Sequence, residues 1–556
     1  LLEFKIFAKS YETYAIEQVV DYALDLKNFH SESHNKTIIP ILISTMAPEI
    51  NTQILFADDG ISNCIKANAT TLKQVLTDLN TNYRKESFDV NNWLNSSYKP
   101  TPTIVEAAQA LYANHSVEDI SRHGAEAINL TLTKNAVEKI IKDSKNNKQK
   151  SICFITGIPG AGKTLAGLDI ATQSMNYEKD EHACFLSGNG PLVKVLREAL
   201  IRNKSELENI SKKKTEPQVY AFIQNIHHFR DEYFEDISAP IEKVVIFDEA
   251  QRAWNREQAS KFMNKKSKAK DFNYSEPEFL ISVMDRHQDW CVIICLIGEG
   301  QEINTGEAGL DEWFKTLKEK YPDWNVYCSK NANPPENLNV FTQSDLHLSV
   351  SLRSFKSALL SDFVQNVMDC KPNEARIVSQ DLCEHYPILI TRNLAGAKNW
   401  VRSKARGSER MGLLAHSNAI RLKPEGIFVK SEIDCTNWFL NKKTDVRSSC
   451  ALEDCATEFD VQGLELDWTI VAWDANLRFD KGWKYLKFSG NRWQNINNDV
   501  DKKYLLNSYR VLLTRARQGM VIFIPEGNKN DETRLPEFYD NLFKYLGECG
   551  LQVLPD

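Results

Sequence analysis

The stretch FITGIPGAGKTLAG, residues 154–167, determines how the rest of the chain is interpreted. An apolar run of strand length enters a glycine-rich loop, and the loop leads into a helical pattern. Residues 157–164 fit GxxxxGK[ST], a pattern whose glycines allow backbone N–H groups to surround phosphates at a helix N-terminus. The stretch therefore predicts a strand, a phosphate-binding loop and a helix.

This loop supplies the first candidate site residues. Lys163 is expected to contact the β- and γ-phosphates of a nucleoside triphosphate, and the Thr164 hydroxyl is expected to bind Mg²⁺. The backbone groups that would surround the phosphates belong to Gly157, Pro159, Gly160, Ala161 and Gly162.

Hydrolysis also needs an acidic strand end, and KVVIFDEAQ (243–251) provides one. Asp248 follows an apolar strand and is expected to bind the Mg²⁺ shell, while Glu249 can polarise the attacking water. An Asp–Glu pair can also cap an ordinary helix. Its position downstream of a phosphate loop favours the catalytic interpretation.

Near-continuous apolar runs recur along the chain and indicate parallel strands covered by helices on both faces. Four lie within residues 151–298 and four within residues 386–525, which predicts two α/β lobes. The runs are SICFI (151–155), HACFLS (182–187), KVVIFD (243–248), CVIICLIG (291–298), YPILITR (386–392), MGLLAHS (411–417), DWTIVAWD (467–474) and GMVIFIP (519–525). Lysine-rich patches such as SKKKTE (211–216) are expected to be solvated loops.

Composition narrows the class of protein. The 556 residues are 42% hydrophobic and 26% charged, as in soluble globular proteins. Because the net charge is −7, any contact with nucleic acid must come from a local basic groove. The twelve cysteines form no CxxC pairs, which favours reduced thiols in the cytoplasm, and no apolar run is long enough for a membrane span.

Four further motifs resemble, in order and spacing, those of superfamily 1 helicases of the UvrD-like group. They are LIGEGQEI (296–303), LSVSLRSF (348–355), ATEFDVQGLELDW (456–468) and NSYRVLLTRARQG (507–519). The resemblance implies ATP as the nucleotide and two RecA-like lobes that enclose it. It also implies that Gln301 senses the γ-phosphate, that Arg353 contacts it, that Arg515 is the arginine finger, and that Glu465 belongs to the ATP site.

Over roughly residues 150–526, the sequence resembles still more closely the bacterial Schlafen group 3-like DNA/RNA helicase domain family. FLSGNGPLVKVLREAL, IFDEAQRAW and GQEINTGEAGLDEW are among the segments that carry this resemblance. Phe459 and Gln462 depart from the histidine and lysine of UvrD-like proteins, which leaves the strength of unwinding open.

By the same resemblance, three segments would line the path of a nucleic-acid strand. Hydroxyls and amides would hold phosphates, and an aromatic ring would stack on a base. The candidates are Ser187 and Asn189, His228 and Phe229, and Ser417 and Asn418 together with Arg421. Helix packing for the middle pair and a plain loop for the last pair are the alternatives.

The N-terminal segment carries a second pattern. Glu3 and Lys5 lie two apart on a strand and share a face, and Gln18 and Tyr22 lie four apart on a helix. The order resembles a PD-(D/E)xK nuclease core with its QxxxY helix, which implies that Glu3 binds a metal. The aspartate that should precede this motif is not in these residues, and since the chain starts at a strand-like leucine we expect earlier sequence. The alternative is a degenerate nuclease fold kept for DNA grip or packing.

These patterns predict an α/β chain with four parts. Residues 1–85 are an incomplete restriction-endonuclease-like domain, 86–130 a helical linker, 131–340 the nucleotide-binding RecA-like lobe 1, and 341–556 RecA-like lobe 2. The main hypothesis is an ATP- and Mg²⁺-dependent nucleic-acid translocase or helicase coupled to a nuclease, acting on DNA more than RNA in phage defence or repair. The alternatives are an ATP-gated binding switch with an inactive nuclease fold, and a Schlafen-like enzyme directed at RNA. A protein partner or a homo-oligomer remains open in each case.

Overall fold

The structure is a computed structural model that describes residues 1–33, 36–57, 60–83, 89–94, 103–113, 125–157, 161–174, 182–265, 272–298, 309–335, 338–349, 355–383 and 386–555. These residues form two compact units. The first contains the described residues up to 94 together with Arg402–Arg410, and the second contains those from 103 to 401 and from 411 onward.

The N-terminal unit is built on a three-stranded parallel sheet. Its strands, in the spatial order β1-β2-β3, are β1 (Leu2–Lys5), β2 (Ile41–Ser44) and β3 (Ile65–Ala67). Its helices are Thr13–Phe29, Leu72–Tyr83 and Val90–Leu94. The first helix packs Ala15 and Val19 against Leu42 on one face of the sheet, and the second covers the opposite face.

The second unit begins with an eight-stranded parallel sheet, the first lobe. Its strands are β4 (Lys150–Gly157), β5 (His182–Ser187), β6 (Ile223–Asn225), β7 (Glu242–Asp248), β8 (Cys291–Gly298), β9 (Asn325–Cys328), β10 (Val340–Thr342) and β11 (His347–Leu348). The spatial order is β10-β9-β4-β8-β7-β5-β6, with β11 paired to β4. Helices flank the sheet at Ile104–Tyr112, Ala125–Asn147, Lys163–Ser174, Gly190–Leu207, Lys212–Phe222, Ile226–Glu235, Arg256–Lys265, Glu276–Met284 and Gly309–Lys320.

The second lobe is a six-stranded parallel sheet with an antiparallel ribbon. The sheet strands are β12 (Ile388–Thr391), β13 (Met411–Ala415), β14 (Cys455–Ala456), β15 (Leu466–Ala472), β19 (Ala516–Phe523) and β20 (Gln552–Val553), in the order β14-β13-β15-β19-β12-β20. The ribbon strands β16 (Leu477–Phe479), β17 (Trp483–Ser489) and β18 (Arg492–Asn495) follow β15. The helices are Phe355–Met368, Pro372–Cys383, Leu394–Lys404, Cys435–Leu440, Asp499–Leu513 and Glu537–Glu548.

The predicted α/β fold with two RecA-like lobes is confirmed. Each of the eight apolar runs forms a parallel strand with a buried core, and a single cluster of buried apolar side chains contains residues of both lobes. The prediction of a loop at 211–216 is wrong, because Thr215, Val219 and Phe222 give the helix Lys212–Phe222 a buried face. Within the described residues, no helix has the length and apolar character that crossing a bilayer requires.

Candidate functional site

The phosphate loop, Asp248 and Gly298 lie at one edge of the first sheet. β4 is the neighbour of β8, and β8 is the neighbour of β7, so the carboxyl ends of these parallel strands lie side by side. Gly157 and Gly298 are register partners in this arrangement. Ligands of open α/β sheets bind at this edge, and the strands therefore position the predicted nucleotide residues together.

Asp248 and Thr164 form the centre of the site. The Thr164 hydroxyl donates a hydrogen bond of 3.1 Å to Asp248 Oδ1, whereas the buried Oδ2 has no hydrogen-bond partner among the residues that the structure describes. Burial, and then the neighbouring charge of Glu249, raise the pKa of Asp248 to about 7. A hydroxyl and a carboxylate with an unused oxygen are the hard oxygen donors that Mg²⁺ prefers, so these two residues fit the predicted metal.

Glu249 is held in an unusual backbone conformation beside this pair. Its φ of 53° is left-handed, which costs a non-glycine residue on the order of 1 kcal/mol and is typical of functional sites. The Gln251 amide donates to the Glu249 carboxylate, and Gln251 Oε1 accepts a 2.9 Å hydrogen bond from Gly298 N. Sequence reasoning missed Gln251, although the motif DEAQ contains it.

Gly298 is needed for this arrangement. A Cβ at Gly298 would lie 3.0 Å from Gln251 Nε2 and 3.2 Å from Glu249 Oε2, closer than side chains normally approach. Only a glycine at the end of β8 therefore leaves room for the two side chains that converge there.

The phosphate loop has the geometry that its sequence requires where it is described. The Lys163 ammonium donates to the Gly157 carbonyl at 2.9 Å, and Gly162 has a φ of 78°. A Cβ at Gly157 would lie 2.8 Å from Leu348 Cβ, so β11 can pair with β4 only beside a glycine. Ala161 is buried. Four other predicted site residues lie outside the described residues: Pro159, Gly160, Gln301 and Arg353.

Two predicted residues of the second lobe lie next to each other. Arg515 is buried at the start of β19, where its guanidinium donates to the Val511 carbonyl at 3.0 Å and to Thr514 Oγ1 at 3.2 Å. Leu466 N donates to the Arg515 carbonyl at 3.0 Å, which places the partly exposed Glu465 beside this turn. The two motifs are thus joined at the amino ends of adjacent strands.

Asn189 contacts the other lobe. Its Nδ2 donates to the Gln462 carbonyl at 2.6 Å, and its Oδ1 caps the helix Gly190–Leu207 by accepting from Leu192 N at 3.2 Å. Ser187 is fully buried and accepts a 3.2 Å hydrogen bond from Asn189 N. The prediction that its side chain contacts a nucleic-acid strand is therefore wrong. Its hydroxyl supports the loop instead.

His228 and Phe229, the second pair predicted to contact nucleic acid, differ in exposure. His228 is exposed, but Phe229 is only 1% exposed and packs against Tyr233, with ring centroids 4.7 Å apart. The prediction that Phe229 stacks on a base is therefore wrong, because the helix turns this ring into the core. The half-buried His227, which was not predicted, lies 4.8 Å from the Trp254 ring.

Ser417 and Asn418 lie in the loop after β13. Ser417 donates through both its backbone N and its hydroxyl to the buried Glu458, at 2.8 and 2.7 Å. Asn418 is exposed, and its side-chain carbonyl accepts a 3.0 Å hydrogen bond from Lys430. Of this pair, Asn418 has the more accessible side chain.

Comparison with known proteins decides the family of this domain. Residues 150–526 match the family described as Schlafen group 3, DNA/RNA helicase domain. The chain belongs to this family.

More distant comparisons add little to the Schlafen group 3 assignment. The chain is similar to the solved structure of the DUF1998 helicase MrfA bound to DNA, with 11% identity and a TM-score of 0.30. The similarity covers 85% of this chain and 61% of that one, so this chain spans less than two thirds of that protein. No curated protein matches the chain.

The four predicted nuclease residues lie outside the matched Schlafen group 3 domain and form one cluster. Lys5 Nζ lies 2.9 Å from Glu3 Oε1 and donates to Gln18 Oε1 at 2.7 Å, and Gln18 Nε2 donates to the Tyr22 hydroxyl at 2.8 Å. The bond to Glu3 is the main reason that the pKa of Lys5 is raised. Within the described residues, no group of three or more His, Cys, Asp or Glu side chains could hold a metal.

The burial of Asp248 should make the stability of the Schlafen group 3 domain depend on pH. Its folded pKa of about 7 lies above the ordinary value of 3.8, so between these values the folded chain keeps a proton that the unfolded chain loses. Stability from this group is therefore present at low pH and lost as pH rises through 7, by on the order of 4 kcal/mol. Asp248→Asn should raise the free energy of unfolding more at about pH 8 than at about pH 5.

Denaturant unfolding at the two pH values measures this difference. Asp323→Asn, which changes an exposed aspartate of the same lobe, is the matched control and should show no such pH-dependent gain. An equal effect of Asp248→Asn at both values would contradict the raised pKa.

Proposed function

We propose that this chain is an ATP-driven translocase of the UvrD-like superfamily 1 type, which moves on nucleic acid and prefers DNA to RNA. The observation that carries the proposal is the buried Asp248 Oδ2, which has no hydrogen-bond partner in the described part of the chain and lies beside the Thr164 hydroxyl, at the sheet edge where Lys163 and Glu249 also lie. Such an arrangement suits a Mg²⁺-bound triphosphate, and membership of a helicase-domain family supports the motor role.

Each residue of the site has a distinct task in this proposal. Lys163 neutralises the β- and γ-phosphates, and Thr164 and Asp248 hold Mg²⁺, which screens the charge of the transferring phosphoryl group when bound. Glu249 orients the attacking water and accepts its proton, with its carboxylate kept in place by Gln251.

The second lobe completes the reaction and converts it to movement. Arg515 supplies positive charge as the phosphoryl group leaves. The hydrogen bond from Asn189 to Gln462 joins the end of β5 to the turn before β15, so a change in how the lobes meet would act directly on this junction.

ATP hydrolysis stimulated by polynucleotide tests the proposal. Single-stranded DNA and RNA are supplied separately to the wild-type chain, and DNA should stimulate turnover more strongly. Lys163→Ala is the negative control, because it removes the ammonium that contacts the phosphates. A turnover that neither polymer stimulates would refute the motor function, and stronger stimulation by RNA would favour the RNA-directed alternative.

We also propose that the N-terminal unit is a nuclease of the PD-(D/E)xK type, and that the coupled activities serve phage defence or repair. The cluster of Glu3, Lys5, Gln18 and Tyr22 favours this second activity. Glu3 is the one carboxylate in that cluster, so these four residues alone do not supply enough oxygen ligands for a divalent metal. We therefore propose no cleavage step that uses a metal bound by them. The setting in defence or repair rests on analogy with other fusions of a nuclease to a motor.

Glu3→Ala tests the second activity. It should abolish Mg²⁺-dependent cleavage of a labelled DNA while ATP hydrolysis continues, because Glu3 lies in a different unit from the phosphate loop. Glu49→Ala changes an exposed carboxylate of the same unit and should leave cleavage intact. If the wild-type chain does not cut DNA although single-stranded DNA or RNA stimulates its ATP hydrolysis, the ATP-gated switch with an inactive nuclease fold is the better account.

A further inference from the structure

The second lobe carries an exposed basic and aromatic surface that none of the helicase motifs includes. We define the basic surface as Lys423, Phe428, Lys430, Lys487 and Arg492. The Phe428 side chain is 50% exposed, and the Lys423 ammonium lies 5.8 Å from its ring centroid. Lys430 donates to Asn418 at 3.0 Å, so the loop that contains Phe428 and Lys430 adjoins a residue predicted to contact nucleic acid.

The antiparallel ribbon contributes the other two cations. Lys487 pairs with Gln494 and Ser489 pairs with Arg492, so Lys487 and Arg492 project from the same face, and both are exposed. The opposite face is fixed to the lobe, since the Trp493 indole donates to the Thr533 carbonyl at 2.8 Å. The ribbon therefore presents its cations on an anchored support.

The ribbon and the loop are in contact. The Arg421 guanidinium lies 5.3 Å from the ring centroid of Phe488, on the anchored face of the ribbon. Arg421 belongs to the segment that leads from Asn418 to Phe428, so the segment that carries Lys423 and Phe428 is in contact with the ribbon that carries Lys487 and Arg492.

The four cations of the basic surface make no salt bridge among the described residues. Two carboxylates of this region have other partners, since Arg421 pairs with Asp531 at 2.6 Å and Arg534 pairs with Glu425. The exposed carboxylates near them in the sequence are Glu432, Asp434, Glu526 and Glu532. In a chain of net charge −7, such a surface favours a polyanion.

We infer that the basic surface binds a single strand of nucleic acid beyond the motif-lined path, with Phe428 stacked on a base and Lys430, Lys487 and Arg492 against phosphates. An exposed ring among unpaired cations is the combination by which single strands are bound without regard to sequence. The inference rests on the proposed function and extends it by adding residues that grip the strand on the second lobe.

The test measures the affinity of the full chain for labelled oligo(dT) and oligo(rU) by fluorescence anisotropy, over a series of salt concentrations. Phe428→Ala should weaken binding about tenfold, within the range for loss of one stacked base. The double variant Lys487→Gln/Arg492→Gln should reduce the slope of log affinity against log salt by about 1.4, for two lost phosphate contacts.

Matched controls come from exposed sites on other faces. Ile377→Ala removes an exposed apolar side chain, and Lys213→Gln/Lys214→Gln removes two exposed cations from the first lobe. Both should bind the strands as the wild type does. Thermal melting curves that match the wild type show that each variant is folded, as expected for surface positions.

The outcomes separate this inference from the motor proposal. If the wild-type chain binds strands and hydrolyses ATP in response to them, but Phe428→Ala and the double variant keep wild-type affinity and salt slope, the basic surface is not a strand contact and a protein partner becomes the better occupant. If the wild-type chain binds no strand at all, the proposed function and this inference both fall.

Discussion

Glu249→Gln should retain ATP binding and lose turnover by on the order of 10³-fold, the scale of a lost general base. The amide cannot accept the proton of the attacking water, yet it is close in shape to the carboxylate. The left-handed backbone at Glu249 and the Gly298 space are unaffected by the exchange, so the position of the side chain is preserved. Single-turnover hydrolysis together with nucleotide affinity measures the separation between binding and chemistry.

The control for this substitution is Glu257→Gln. Glu257 lies in the helix Arg256–Lys265, is exposed, and forms a salt bridge with Lys261 at 2.6 Å. It should leave turnover within about twofold of the wild type, as expected of surface residues. If Glu249→Gln hydrolyses ATP at the wild-type rate, Glu249 is not the base and the assignment of the whole strand end must be revised.

The arrangement of the candidate nucleotide site was predictable because it depends on strand order and little else. Once β4 and β7 are recognised as parallel strands of one sheet, their carboxyl ends share an edge, and Thr164 and Asp248 must lie near each other. The support given by Gln251 was not predictable, since it depends on the left-handed turn at Glu249, which no residue pattern indicates.

Contacts with a nucleic-acid strand are harder to derive from the sequence, because the direction of a side chain depends on the phase of its helix. A shift of one residue turns a side chain by about 100° around a helix, and this decides that His228 is exposed while Phe229 is buried. Ser187 shows the same effect at a strand end, where alternation points its hydroxyl inward.

The N-terminal cluster shows what short spacing can predict. Positions two apart on β1 and four apart on the helix Thr13–Phe29 brought Glu3, Lys5, Gln18 and Tyr22 together as expected. In contrast, the pairing of Arg402–Arg410 with this unit involves residues remote in sequence, and no local pattern could indicate it. The antiparallel ribbon was missed for another reason, because aromatic residues such as Tyr485 and Phe488 lie on opposite faces of β17 and give no simple alternation of apolar and polar residues.

Arg515→Ala should lower ATP turnover by roughly 10³-fold, the lower end of the range for arginine fingers. Its guanidinium is buried at the amino end of β19 and keeps its planar fork oriented through Val511 and Thr514. A preorganised cation of this kind stabilises charge that develops during phosphoryl transfer more than charge already present on ATP. The loss should therefore appear in the turnover number, with a much smaller change in nucleotide affinity.

Two companion variants distinguish this role from a structural one. Arg510→Ala removes a guanidinium that lies in the preceding helix, Asp499–Leu513, and pairs with Asp369, and it should leave turnover nearly unchanged. Arg515→Lys keeps the positive charge but not the fork, so turnover should remain at least tenfold below the wild type. Because Arg515→Ala also removes one of the donors to the Val511 carbonyl, melting curves must accompany the kinetics. A loss below tenfold in a folded Arg515→Ala protein would remove this arginine from the reaction and leave the second lobe without its proposed catalytic contribution.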